Sequence, residues 1–514
     1  MTKLQRVLIA IGAGLLLFLT LGAWSLSSPV GSSPDDDFHL ASIWCGQGER
    51  DGLCEAGSSP ERLRVPEKVI TGVCFAARPD VTASCQGNEY LDEGFLLAET
   101  SRVNAGSQYP PGFYFAASLL TNDNMATSTI AIRLANSALF SILAVVTWCL
   151  LPYRLRFSLA ASAALTLVPV GLFFVASTNP SSWALTSGVL VLPAMLGFFT
   201  ERGWRRGALG GIAALAGLLA FGSRGDAAAY TIVALLAAAV LAFAPTRRFW
   251  LSAILPAALI ITAVVATFSA GQIGLAVSGE MGRETEANPT SKLALAALNL
   301  VSLPRLWAGV FGHGWGLGWL DTGLPDIVPA VGIVLVAGVL FVAFKVMDWR
   351  RALALCGIGA ANLIVPTYIL VQSGSMVGSE VQPRYILPLV TMFVAAALAP
   401  SADQTPGAFR GVNLSRLQLS LIAFGLAGTN AISLFVNLKR NVSTGSYNLD
   451  SATDWWWAAG PSPFGVLTIG AVCGTAFMVL FSFVSERSLS LAHSSDTTYL
   501  TEQKVLVAER RDLP

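Results

Sequence analysis

Charge is scarce in this sequence. Only 12% of its 514 residues are Asp, Glu, Lys or Arg, about half of the roughly one quarter found in a soluble domain. No basic stripe interleaved with aromatics is present, which argues against a nucleic-acid partner. Tight Cys-x-x-Cys pairs are missing, which disfavours a four-cysteine zinc site. The two halves of the chain share no obvious repeat, as many carriers would. What fills the sequence instead is apolar: 54% of it is hydrophobic, too much to hide in one soluble core.

The apolar residues come in runs such as Val7 to Leu26 and Val331 to Phe344, near the ~20 residues that cross a bilayer. Hydropathy gives twelve spans, near 7–27, 127–150, 157–176, 182–199, 208–222, 228–244, 251–270, 327–345, 352–372, 385–399, 417–437 and 464–484. Lys3 and Arg6 precede the first run, but its length and the poor Ala23-Trp24-Ser25 cleavage site make it a retained span. Lys3/Arg6, Arg154/Arg156, Arg202/Arg205/Arg206, Arg247/Arg248, Lys345/Arg350/Arg351 and Arg410/Arg416 then fall on one side. The positive-inside rule makes that side cytoplasmic and puts both termini there, in a multi-pass plasma-membrane protein. The polar tail, 485–514, reads as cytoplasmic and poorly ordered.

Two outer loops are long, 27–125 and 271–326, and long loops in compact proteins usually carry function. Cys45, Cys54, Cys74 and Cys85 all lie in the first. In an oxidising compartment they suggest two disulfides. Three pairings are open, of which Cys45–Cys54 with Cys74–Cys85 is the simplest. Trp455-Trp456-Trp457, in a further outer segment, reads as a membrane-interface anchor, with sugar stacking the alternative.

Against this apolar background one cluster stands out: Pro34-Asp35-Asp36-Asp37-Phe38-His39, directly after the first span. Carboxylates at a membrane surface can act as a general base, hold a divalent cation such as Mg or Mn, or simply form a hydrated turn. Arg133 lies inside the second span near Asn136, where an ionisable side chain is costly and marks function by default. Snorkelling outward and pairing with the acidic cluster are its other readings. Gln382-Pro383-Arg384-Tyr385 enters the tenth span, and Arg384 is the only basic residue between Arg351 and Arg410. A guanidinium there is either a two-pronged grip on a lipid phosphate or an interface anchor. Gly312 to Pro325 is dense in glycine and carries His313 and Asp321. It is not a phosphate-binding Gly-Lys-Ser/Thr loop, since no Lys follows. The apolar stretch before it, 293–311, suits a helix in the interface plane. Tyr109-Pro110-Pro111 fixes an extended entry into the second span, and Asn179 reads first as a helix cap.

Taken in order, Pro34-Asp35-Asp36-x-x-His39, Tyr109-Pro110-Pro111-x-x-Tyr114, Arg133-Leu134, Gly318-Trp319-Leu320-Asp321-Thr322-x-Leu324-Pro325 and Gln382-x-Arg384-Tyr385-x-x-Pro388 resemble a bacterial family of multi-span membrane proteins. That family is itself similar to the GT-C superfamily of integral-membrane glycosyltransferases. The resemblance spans about residues 5–400. It implies an all-α GT-C-like fold with a catalytic region over 1–400, followed by a transmembrane pair at 401–484. It further implies sugar transfer from a polyprenyl-phosphate donor to a cell-envelope glycan, lipid or protein acceptor at the outer face. Asp35 or Asp36 would be the base, the other orienting the acceptor or binding metal, with His39 in support. Arg384 would bind the donor phosphate, with Arg133 a weaker candidate and Gln382 and Tyr385 beside it. Asp321 and His313 would approach from the second long loop. The sequence departs from the family where its second acid, usually Glu, is Asp36. Asp37 is an additional acid, and Ser181 stands where an acid usually follows Asn179-Pro180.

Sugar transfer needs a base for the acceptor and charge stabilisation for the leaving phosphate, and this set of residues supplies both. The competing classes are a flippase or polymerase for lipid-linked glycans, a secondary transporter, and a non-enzymatic scaffold binding through the disulfide loop.

Overall fold

The structure, a computed structural model, describes residues 2–87, 96–271, 291–345, 347–379, 381–400, 412, 414–443, 445–451, 455–457 and 460–511, with side chains up to 491. Arg410 of the charge count, residues 272–290 of the second long loop and residues 401–411 at the expected region boundary lie outside the described residues.

Among the described residues, eight helices are long and apolar enough to cross a membrane: Leu4–Leu26, Met125–Leu150, Ser181–Thr200, Gly203–Ser223, Arg247–Ser269, Trp349–Gln372, Arg416–Val442 and Pro463–Leu491. Three shorter apolar helices, Gly225–Leu241, Ile327–Ala343 and Pro383–Leu398, accompany them. The remaining expected span, 157–176, is a broken pair. Pro169 has no N–H to continue the helix and pushes Val168 into an extended conformation, with φ −88° and ψ 125°. The expectation of twelve spans thus resolves into eight long helices, three short ones and this pair.

The site draws on the first half of the chain and on the start of Pro383–Leu398. In the first half, α1 (Lys3–Leu26) leads through an irregular linker to α2 (Asp36–Trp44). After α3 (Glu67–Thr71), α4 (Gly112–Ser118) precedes α5 (Met125–Leu150). The broken pair is α6 (Tyr153–Leu167) and α7 (Val170–Val175). Then follow α8 (Ser181–Thr200), α9 (Gly203–Ser223) and α10 (Gly225–Leu241). The polar tail expected to be poorly ordered continues as helix to Arg511. Its Glu, Lys, Leu, Ala and Arg residues are good helix formers.

The segment between α1 and α5 carries a small three-stranded antiparallel sheet, Glu55–Ala56, Leu63–Pro66 and Leu97–Thr100. Its disulfides are Cys45–Cys54 and Cys74–Cys85, the simplest of the open pairings. A separate apolar core beneath it joins α2 and α4 to Trp456 and Trp457. Those two tryptophans are buried at 8% and 4% exposure, so they are core residues and not the expected interface anchor.

The linker from Leu26 to Pro34 holds the acidic cluster in place. It is irregular and almost wholly buried, so its carbonyls have no helical partners and need donors from elsewhere. Trp457 Nε1 donates to Leu26, Asn437 Nδ2 to Ser27, Arg133 to Ser28 and Pro29, Gln86 to Val30, Trp319 Nε1 to Gly31 and Asn179 Nδ2 to Pro34. Six separated stretches of chain thereby converge on nine residues and fix where α2 begins.

Candidate active site

Asp35 ends this linker as the residue capping α2. It adopts a left-handed conformation, φ 62° and ψ 22°, which is strained for most side chains but tolerated by Asp and Asn. Its carbonyl accepts the N–H groups of Phe38 and His39, at 2.9 and 2.8 Å. This turn separates the three acids. Asp35 is 39% exposed, Asp36 is fully buried, and Asp37 faces Arg102.

The two Asp35 oxygens meet two different arginines. Arg384 Nη2 donates to Oδ2 at 3.0 Å, and Arg102 Nη2 lies 3.5 Å from Oδ1. Burial alone would raise the Asp35 carboxyl, but the charges of Arg384 and Arg102 hold it below its ordinary 3.8. Arg102 makes its closer, two-pronged pair with Asp37, at 2.7 and 2.9 Å. Arg102 is half exposed, so this pair contributes little to stability.

Asp36 points inward. Thr178 Oγ1 donates to its carboxylate at 2.9 and 3.1 Å, and the Ser33 N–H at 2.9 Å. Burial pushes this carboxyl up to about 7, against the opposing pull of Arg133, Ser33 and Thr178. Its unfolded value is near the ordinary 3.8. Between those values the folded chain therefore binds more protons than the unfolded chain. Stability contributed by Asp36 is full below about pH 4 and is lost as pH rises through about 7. Melting temperatures measured across that window should fall for the wild type and fall less for Asp36→Asn.

His39, one turn along α2, is buried, and burial pushes its imidazole down to about 3. It is neutral at physiological pH. Its Nδ1 shares a hydrogen bond with the Tyr114 hydroxyl at 2.9 Å, and its ring stands edge-on to Tyr109. Its Nε2 has no partner among the described residues.

Arg384 occupies the first turn of Pro383–Leu398, where Pro383 suits the first helical position. It is 3% exposed. Besides Asp35 it donates to the Tyr385 hydroxyl at 3.1 Å, and its guanidinium lies 5.1 Å from the Phe174 ring centre. Nε and Nη1 find no acceptor among the described residues. Gln382 caps the same helix, and its Oε1 is likewise buried without a partner there.

A second buried arginine shares the site. Arg224, between α9 and α10, is 4% exposed and lies 4.3 Å from the Tyr385 ring centre and 5.7 Å from that of Tyr109. Gly112 makes the close packing here possible. A side chain on it would sit 2.8 Å from the Gly222 backbone, so the stretch bearing Tyr109 closes on α9 because residue 112 is glycine. Sequence reasoning missed Arg224 and Arg102. For Arg224 a signal existed: it is a basic residue on the side whose short loops are otherwise nearly free of positive charge.

The other expected residues lie apart from this centre. Arg133 is 1% exposed and neither snorkels nor bonds an acid. It donates to the carbonyls of Ser25, Ser28 and Pro29 and to Ser32 Oγ. Arg133→Ala should therefore strip several buried carbonyls of donors and cost roughly 3 kcal/mol or more of stability, read as a lower melting temperature in detergent. Asp321 pairs with Arg440 at 2.9 Å, both nearly buried, and Arg440 also ties the Phe75, Arg78 and Val81 carbonyls. The glycine-rich loop reaches the linker ahead of the acidic turn, through the Trp319 bond to Gly31. His313 is exposed, on the rim of a cup of that loop shared with Asp326. Asn179 does bond the Ser181 N–H as a cap would, while its amide holds Pro34.

A divalent cation fits this arrangement poorly. Among the described residues no group of three or more His, Cys, Asp or Glu is placed to hold one. The neighbours of Asp35 are guanidiniums, and the Asp36 oxygens are filled by Thr178 and Ser33.

These features define a multi-span membrane protein in which a part-exposed carboxylate meets a buried arginine at the end of the helices that bears the disulfide segment. Residues 17–393, well over half of the chain, match the family DUF2142, described as predicted membrane proteins, and the chain belongs to that family. Nothing matches it among curated proteins or among solved structures.

Proposed function

We propose that this protein is a membrane glycosyltransferase that moves a sugar from a polyprenyl-phosphate donor to a cell-envelope acceptor at the outer face of the bacterial plasma membrane. The observation that carries the reading is the Asp35–Arg384 contact of 3.0 Å, in which Arg384 keeps two buried nitrogens, Nε and Nη1, without acceptors among the described residues. A carboxylate that can take a proton thus adjoins a cation with unfilled hydrogen-bond donors.

In this reading Asp35 is the base. At rest the arginines hold its carboxyl low and make it a weak one. A donor phosphate that engages Arg384 draws off part of that charge, and the basicity of Asp35 rises. The acceptor oxygen attacks the anomeric carbon while its proton passes to Asp35. The bond from that carbon to the phosphate oxygen breaks, and its electron pair stays on the phosphate, whose charge the buried arginines of the site offset. A single displacement of this kind inverts the anomeric centre. Asp36 positions the turn, and neutral His39 offers Nε2 to a sugar or acceptor hydroxyl. The arginines supply the charge stabilisation that a metal would otherwise provide.

The carrier reading drew on a buried Arg133, which the linker carbonyls account for. The test is envelope composition in a deletion strain. Loss of one glycan component, restored by the wild type and not by Asp35→Asn, supports transfer. Restoration by Asp35→Asn would refute it.

A further inference from the structure

We infer that Arg224 binds the leaving phosphate of the donor and neutralises the charge that appears on it as the glycosidic bond breaks, a role distinct from that of Arg384. The inference rests on the lipid-phosphate reading above and divides its anion site in two.

Four observations place Arg224 there. It is 4% exposed, and an arginine buried without function is costly. It stacks on the same Tyr385 ring as Arg384, at 4.3 and 5.0 Å from the ring centre. Its Nε and Nη2 are held by both oxygens of Asp226 at 2.9 Å, which fixes the guanidinium plane and leaves Nη1 buried without an acceptor among the described residues. It also stands at the N-terminus of α10, a 17-residue helix, whose dipole favours an anion at that end.

The chemistry separates the two arginines. A sugar joined to a polyprenyl phosphate is a phosphodiester with one negative charge. When the anomeric C–O bond breaks, the phosphate becomes a monoester and gains a second. Arg384 is bonded to the base, so it borders the side from which the acceptor attacks. A displacement with inversion puts the leaving oxygen on the opposite side of the anomeric carbon. Arg224 is not bonded to Asp35, and its spare N–H is available to the charge that develops there. An interaction that strengthens only in the transition state raises kcat rather than lowering KM. Asp226 acts as the positioning residue that aims Arg224.

The test uses the full-length protein in detergent with two probes, undecaprenyl phosphate and its methyl phosphodiester. Arg224→Gln should weaken binding of the monoester at pH 8 by tenfold or more and that of the diester by less than twofold. Arg384→Gln should weaken both. In a transfer assay Arg224→Gln should lower kcat by roughly a hundredfold with KM for the donor little changed. Arg224→Lys keeps the charge, guards against a folding defect, and should retain more monoester binding than Arg224→Gln. Equal loss of both probes in Arg224→Gln, or loss of neither while Arg384→Gln loses both, would overturn the division. If neither variant affects either probe, the lipid-phosphate reading itself fails.

Discussion

Asp35→Asn is expected to lower sugar transfer by roughly a thousandfold, the range supplied by a general base, and to leave the chain folded. Asn is the right replacement because the turn demands a left-handed residue. Asp35 sits at φ 62°, and Asn accepts that conformation more readily than Ala does. Its amide oxygen can still accept the Arg384 hydrogen bond, so the linker and the start of α2 keep their geometry. Only the ability to take a proton is removed. The neighbouring acids are the controls. Asp36→Asn keeps an acceptor for the Ser33 N–H and should retain activity within about tenfold, while Asp37→Asn loosens only a half-exposed pair with Arg102 worth about 0–1 kcal/mol. Initial rates of the three variants, with melting temperatures alongside, separate a base from a structural acid. Equal losses in Asp35→Asn and Asp36→Asn would remove the distinction.

Arg384→Gln should be nearly as damaging, but through binding and through the base together. It removes a guanidinium that is almost wholly buried and leaves Asp35 without its closest cation. Donor binding should weaken by roughly a hundredfold, about 3 kcal/mol, the scale of a charge-assisted hydrogen bond to phosphate. Arg384→Lys should recover only part of it, because an ammonium cannot form the planar fork. The pH profile gives a second readout. Arg384 is foremost among the charges that hold the Asp35 carboxyl below 3.8. With it gone the carboxyl rises, so the acidic limb of the residual activity should move to higher pH. An unmoved limb would mean that Asp35 is not the titrating base.

Some of this site was legible in the sequence and some was not, for physical reasons. The disulfides were legible because four cysteines fell in one loop at short separations, and the apolar helices because hydropathy marks them. The break at Val168–Pro169 was not, since an apolar run looks the same whether or not a proline interrupts its hydrogen bonds. Asp35 and Arg384 could each be singled out as rare charges at span ends, but their contact joins residues 349 positions apart. Arg133 looked functional because its partners are backbone carbonyls of the linker, which leave no mark in composition. Trp456 and Trp457 looked like an anchor for a similar reason: the core that buries them is built largely from the distant disulfide segment. Arg102 was hidden in a polar loop where a basic residue is unremarkable.

Density for the full-length protein bound to undecaprenyl phosphate tests the central claim most directly. The phosphate is expected within hydrogen-bonding distance, about 3 Å, of the Arg384 guanidinium, with the Asp35 carboxylate free to face the acceptor. A lipid phosphate bound away from Arg384, with the Asp35–Arg384 pair closed and undisturbed, would contradict it.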